Sequence, residues 1–132
     1  MIPDTIEDLS AAIVGEGYQA DEALLTALHL ALRMGKPLFL EGEPGVGKTE
    51  VAKVLASITG QPLIRLQCYE GLDVNHAVYE WDYARQMLAI RLMEANHERA
   101  AVTDIMSRDY LFARPLLQAV EATRDGHRPV LL

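Results

Sequence analysis

Gly42-Glu43-Pro44-Gly45-Val46-Gly47-Lys48-Thr49 fits G-x-x-x-x-G-K-[ST], a spacing that suits the capture of a polyphosphate. Glycines let the backbone curl until successive N–H groups point at phosphate oxygens, and a helix that starts at the loop adds its positive dipole end and unpaired amides. Lys48 is placed to reach the β and γ phosphates as a point charge, which makes it the candidate catalytic residue. The Thr49 hydroxyl is the candidate ligand of a Mg²⁺ ion that keeps most of its waters. The candidate nucleotide contacts are therefore Gly42, Glu43, Pro44, Gly45, Val46, Gly47, Lys48, Thr49 and the next residue, Glu50. Glu43 lies within the loop and Glu50 on the first helical turn, so neither reads as a general base. A nucleotide polyphosphate with Mg²⁺ is the ligand this chemistry calls for.

The flanks are the elements such a loop needs. Pro37-Leu38-Phe39-Leu40-Glu41 reads as a short buried strand, and Val51, Val54, Leu55 and Ile58 recur at helical spacing after the loop. Upstream, 5–14 reads as a helix with Ile6, Leu9, Ile13 and Val14 on one face, capped by Asp4 or Thr5 and ended by Gly15 and Gly17. The next helix has Asp21 and Glu22 in its first turn and a stripe of Leu24, Leu25, Leu28, Ala31 and Leu32, and it closes at Arg33 and Gly35. Downstream, Leu63-Ile64-Arg65-Leu66-Gln67 alternates like an edge strand, whereas 68–83 is irregular and reads as a loop with at most one helical turn. Residues 84–99 read as a long helix with Met87, Leu88, Leu92 and Ala95 along one side. Pro115 opens a last helix with Leu116, Leu117 and Val120 inward and Gly126 past its end, and Pro129-Val130-Leu131-Leu132 looks like the start of a further strand.

Composition narrows the function classes. The 132 residues suit one small domain, and 50% hydrophobic residues suffice for a core. A formal charge of −7 argues against a surface made for nucleic acid. The single cysteine, Cys68, allows no internal disulfide and reads as a small buried hydrophobe without chemistry, which suits a reducing cytoplasm. Neither a leader pattern nor an apolar run of membrane-spanning length is seen, so no membrane partner is expected. His29, His76, His97 and His127 are scattered, and His97-Glu98-Arg99-Ala100-Ala101 is not H-E-x-x-H, so a zinc site has little support. Trp81 and Tyr83 read as packing residues of the irregular segment more readily than as a partner anchor.

The stretch 37–53, with the helix before it, resembles the start of the ATPase core of MoxR-type AAA+ proteins. Arg65-Leu66-Gln67-Cys68-Tyr69-Glu70-Gly71-Leu72-Asp73, with Tyr79-Glu80-Trp81, is similar to the MoxR branch that accompanies carbon-monoxide-dehydrogenase-type molybdenum enzymes. The resemblance covers 20–132 and leaves 1–19 as a leading helix and turn. It implies a P-loop three-layer αβα fold with a parallel sheet, of which strands one, two and the start of three are here. It also implies a ring, commonly hexameric, with ATP at subunit boundaries, a molybdenum hydroxylase as client and a von Willebrand factor A protein as partner. An Asp-Glu pair, the sensors, the arginine finger and the helical lid would lie beyond Leu132, so the chain reads as an N-terminal fragment able to bind ATP but not to turn it over.

In the implied sheet order strands two and three pair, while strand one has lost both neighbours and lies roughly 9–10 Å from strand three. Marginal stability is the expectation for the chain alone. Helices at 84–99 and 115–124 replace the hairpin common in MoxR proteins. Two other readings of the same loop stay open: a small-molecule or nucleotide kinase, and a module in which nucleotide serves as a structural ligand.

Overall fold

The computed structural model describes residues 2–97 and 101–132. The chain forms two compact units, one made of Met1–Arg65 with Ala122–Leu132 and the other of Leu66–Glu121. No helix among the described residues is long and apolar enough to cross a membrane.

The first unit is built on three helices, α1 (Ile6–Gly15), α2 (Glu22–Met34) and α3 (Lys48–Thr59). Each of the first two starts where a side chain relieves an orphan amide: Thr5 accepts from Asp8 N–H at 3.1 Å and Asp21 from Leu24 N–H at 2.7 Å. The stripes read from the sequence meet in one cluster of Leu9, Ile13, Leu28, Val51 and Val54, with Leu24, Leu25, Leu32, Leu55 and Ile58 packed around it. Val14 is the departure, since it is 60% exposed while Leu9 and Ile13 beside it are sealed.

A parallel pair completes this unit. β1 (Leu63–Ile64) runs beside β4 (Val130–Leu131), with Leu63 opposite Val130 and Ile64 opposite Leu131. The ladder extends a little beyond both, as Val130 N–H donates to Pro62 O at 2.9 Å and Leu132 N–H to Ile64 O at 2.8 Å. Pairing of the second and third expected strands is thus present, although the second is far shorter than 63–67.

The expected first strand is not formed. Residues 37–41 carry no regular structure, and Phe39 is 86% exposed rather than buried. The physical reason is pairing: an extended segment without a ladder partner leaves its N–H and C=O groups to water, and apolar side chains alone do not hold it as a strand. Leu38 and Leu40 instead line one wall of an open trough of about 970 Å³, whose other walls include Leu28, Leu32, Val51 and Val130.

In the second unit α4 (Val74–Val78) leads directly into β2 (Tyr79–Trp81), followed by α5 (Tyr83–Ala95), α6 (Val102–Ile105), a 3₁₀ turn (Arg108–Tyr110) and β3 (Leu111–Ala113). Then α7 (Pro115–Arg124) begins at its proline and ends before Gly126, as its punctuation predicts. β2 and β3 form an antiparallel ribbon, Tyr79 opposite Ala113 and Trp81 opposite Leu111, so a strand lies at 79–81 where the sequence suggested loop. Tyr79 and Trp81 share one face of the ribbon and meet edge to face, ring centroids 5.9 Å apart. Arg114 and Glu80 pair beside it, and Arg85 lies over the Tyr110 ring at 5.5 Å while donating to Asp109 O at 2.8 Å.

Helix α5 corrects the sequence reading in length. It ends at Ala95, and residues 98–99 of the expected helix lie outside the described residues. Met87, Leu88 and Leu92, which line one side of the helix, are each more than half exposed, and the buried residue of α5 is Gln86. Its amide donates to Ile105 O at 2.6 Å, which ties α5 to the end of α6. Burial of a side-chain amide is tolerated because it is paired, so Gln86→Leu should cost about 1–3 kcal/mol by orphaning that carbonyl. A shift of the urea midpoint at unchanged slope is the measurement, and an unmoved midpoint would count against the bond.

Asp73 starts α4 by accepting His76 N–H at 2.8 Å, and its carboxylate also meets His76 Nδ1 at 2.7 Å. The His76 backbone bond, then the His76 side chain, holds the Asp73 carboxyl below its ordinary value. A depressed folded pKa means that the capping contribution is present above the unfolded value and is lost as pH falls through the folded one. Local loosening of α4 is therefore expected only below about pH 4, and chemical shifts of Asp73 and His76 through an acid titration report it.

Candidate functional site

The loop between residue 41 and α3 has the shape its residue types require. Gly45 has φ +86° and Gly47 φ +90°, both in the left-handed region that side chains disfavour. Gly47 is the N-cap of α3 and supplies no side chain to the helix end, so its carbonyl closes the first turn by accepting Glu50 N–H at 3.0 Å and Val51 N–H at 3.2 Å. A Cβ added at Gly42 would stand 3.2 Å from Val46 Cγ2, so the loop is folded tightly on itself there.

Lys48 turns back over this curl. Its Nζ donates to Gly42 O at 2.5 Å and to Glu43 O at 2.7 Å. Two of the three ammonium donors thus hold the loop together, and the charge lies beside the Gly42 and Glu43 carbonyls. Thr49 follows on the exposed first turn of α3, and Glu50 turns away along the helix to pair with Lys53 at 2.8 Å. The aliphatic stem of Lys48 also borders the trough beside β4.

These residues fit a polyphosphate: left-handed glycines, an uncapped helix start and a lysine aimed into the curl together form an anion cradle. For Mg²⁺ the first turn of α3 offers the Thr49 hydroxyl, which suits an ion held chiefly by water and phosphate. The structure brings Gly42, Gly45, Gly47 and Lys48 together; Glu43 enters through its backbone carbonyl. Cys68, expected as a buried hydrophobe, is exposed. Tyr18 is the neighbour that the motif does not announce, since its ring lies against Gly47.

Residues 37–111 match the family model described as AAA domain (dynein-related subfamily), more than half of the chain. Among curated relatives, the uncharacterized protein YojN of Bacillus subtilis is 38% identical over 72 residues, covering 54% of this chain and 24% of its own. Midasin of Giardia intestinalis is 42% identical over 45 residues, 34% of this chain and 1% of its own. The ATP-dependent protease ATPase subunit HslU of Persephonella marina is 31% identical over 127 residues, 80% of this chain and 28% of its own. The chain therefore spans little more than a quarter, at most, of these relatives. No solved structure matches.

Proposed function

This chain belongs to the AAA domains of the dynein-related subfamily, and we propose on that premise that it binds ATP through 42–50 and acts in a ring, commonly hexameric, that couples ATP hydrolysis to remodelling or maturation of a partner protein. The observation that carries this reading is Lys48 Nζ seated on the Gly42 and Glu43 carbonyls inside a loop whose turns are left-handed glycines. ATP is favoured as the nucleotide because the HslU relative is described as the ATPase subunit of an ATP-dependent protease.

In this reading Gly45, Gly47 and the first amides of α3 hold the phosphate oxygens, and Lys48 holds the β and γ phosphates in place. Thr49 would hold Mg²⁺ through its hydroxyl, and the ion would supply neutralisation of phosphate charge there. Glu43, Pro44, Val46 and Glu50 shape the rim. The resemblance to the MoxR branch supports the finer assignment: a molybdenum hydroxylase as client, a von Willebrand factor A protein as partner, a cytoplasmic setting, and an acidic pair and a neighbour's arginine completing hydrolysis.

Calorimetric titration of the chain with ATP, with and without Mg²⁺, tests the core of it. Saturable binding near one nucleotide per chain, tighter with Mg²⁺, is expected. A flat titration in both conditions would overturn it.

A further inference from the structure

The turn after α1 is unused by the loop motif, yet it is tightly made. Tyr18 N–H donates to Ile13 O at 3.2 Å and Gly17 N–H to Val14 O at 2.9 Å, the paired bonds of a Schellman helix end. Gly17 sits at φ +77°, the left-handed position that such an end needs. This fixes the backbone from which the Tyr18 ring projects. The ring packs, partly buried, on the cluster of Leu9, Ile13, Leu28, Val51 and Val54, and is thus held from below by α1, α2 and α3.

Its edge then meets the loop at one residue. A Cβ on Gly47 would stand 3.2 Å from Tyr18 Cε2, 3.6 Å from its hydroxyl and 3.8 Å from Cζ, so the ring closes off the space that a side chain at 47 would need. Gly47 is where the curl becomes a helix, at φ +90° and ψ 13°. Rotation about that residue redirects the amides of Lys48 and Thr49, and the Tyr18 ring borders it on the side where a Cβ would stand. Few glycine contacts could act more directly on the direction of the helix-start amides.

We propose that Tyr18 is a positioning residue for the phosphate loop: its ring braces Gly47 in the left-handed form and so aims the first amides of α3 at a bound polyphosphate. The proposal rests on the nucleotide-binding reading above. It assigns Tyr18 to the phosphates and not to the base, and the two roles are separable with a ligand that has no base.

The experiment titrates the full chain with Mg-ATP and with Mg-tripolyphosphate, as wild type and as Tyr18→Phe, Tyr18→Leu and Tyr18→Met. Leucine and methionine keep an apolar contact with the cluster but lack the flat wall, and having two such variants guards against one failing to fold. Far-UV melting identifies the folded variants, and titration well below the melting midpoint separates an aiming role from a loss of stability. The expected result is a roughly tenfold loss of affinity in the leucine and methionine variants, by the same factor for both ligands, with phenylalanine restoring wild-type binding. A loss confined to Mg-ATP would make Tyr18 a base contact and overturn the proposal. So would unchanged affinity in folded leucine or methionine variants, or a phenylalanine variant as weak as they are. A wild type that binds neither ligand would overturn the nucleotide reading itself, and Tyr18's role with it.

Discussion

Lys48→Ala is expected to abolish measurable ATP binding while leaving the helical fold in place. The side chain does two things at once. Its ammonium spans the Gly42 and Glu43 carbonyls at 2.5 and 2.7 Å, and it carries the positive charge nearest the curl of the loop. Hydrogen bonds to a charged group contribute roughly 1.5–3 kcal/mol each, so losing a lysine proposed to hold two phosphates should weaken binding by on the order of a hundredfold or more. Stability should move far less, because Lys48 lies outside the buried cluster and its bonds are at the surface. Calorimetric titration with Mg-ATP, paired with a thermal melt, separates the two effects. Wild-type affinity in a folded Lys48→Ala protein would remove the central claim, and Lys48→Arg would not rescue it, since a planar guanidinium does not fill the place of a compact ammonium.

The turn and the helix start at 42–49 were legible because glycines mark where left-handed backbone is needed, and Gly45 and Gly47 adopt it just before α3 begins at Lys48. The helices α1, α2, α3 and α7 were legible for a related reason: caps and glycine stops punctuate them, and apolar stripes say which way α1, α2 and α3 face. Other features depend on partners distant in sequence. Tyr79–Trp81 and Leu111–Ala113 become strands only by finding each other, and three residues are too few to display a period of two. Residues 37–41 have the composition of a strand but no ladder neighbour, so composition overstated them. In α5 the periodicity was real, yet the helix is seated on Gln86, whose amide found the Ile105 carbonyl. Nothing in the order of residues marks Tyr18 as the wall behind Gly47, because that contact joins two turns through the folded core.

The same substitution at two leucines shows how far periodicity and burial can part. Leu9 on α1 and Leu88 on α5 both belong to apolar stripes along one side of a helix, but Leu9 is 0% exposed and Leu88 is 59% exposed. Among the described residues Leu9 is one of three fully buried large side chains, and it sits in the cluster with Ile13, Leu28, Val51 and Val54. Removing its three outer carbons forfeits their transfer out of water and leaves a cavity that helices pinned by caps at Thr5 and Asp21 close only in part. Leu9→Ala should therefore cost about 2–5 kcal/mol, a large share of the ~5–15 kcal/mol that holds a typical domain together. Leu88→Ala, made in water, should stay within about 0.5 kcal/mol. Urea unfolding of the two variants under one buffer is the comparison, read at the midpoints with the slopes checked for equality. Equal losses would mean that α5 packs its stripe inward, and the orientation set by Gln86 would have to be abandoned. A large loss at Leu9 alone would place the stabilising centre of the first unit where α1, α2 and α3 meet, directly beneath the Tyr18 ring and the loop it touches.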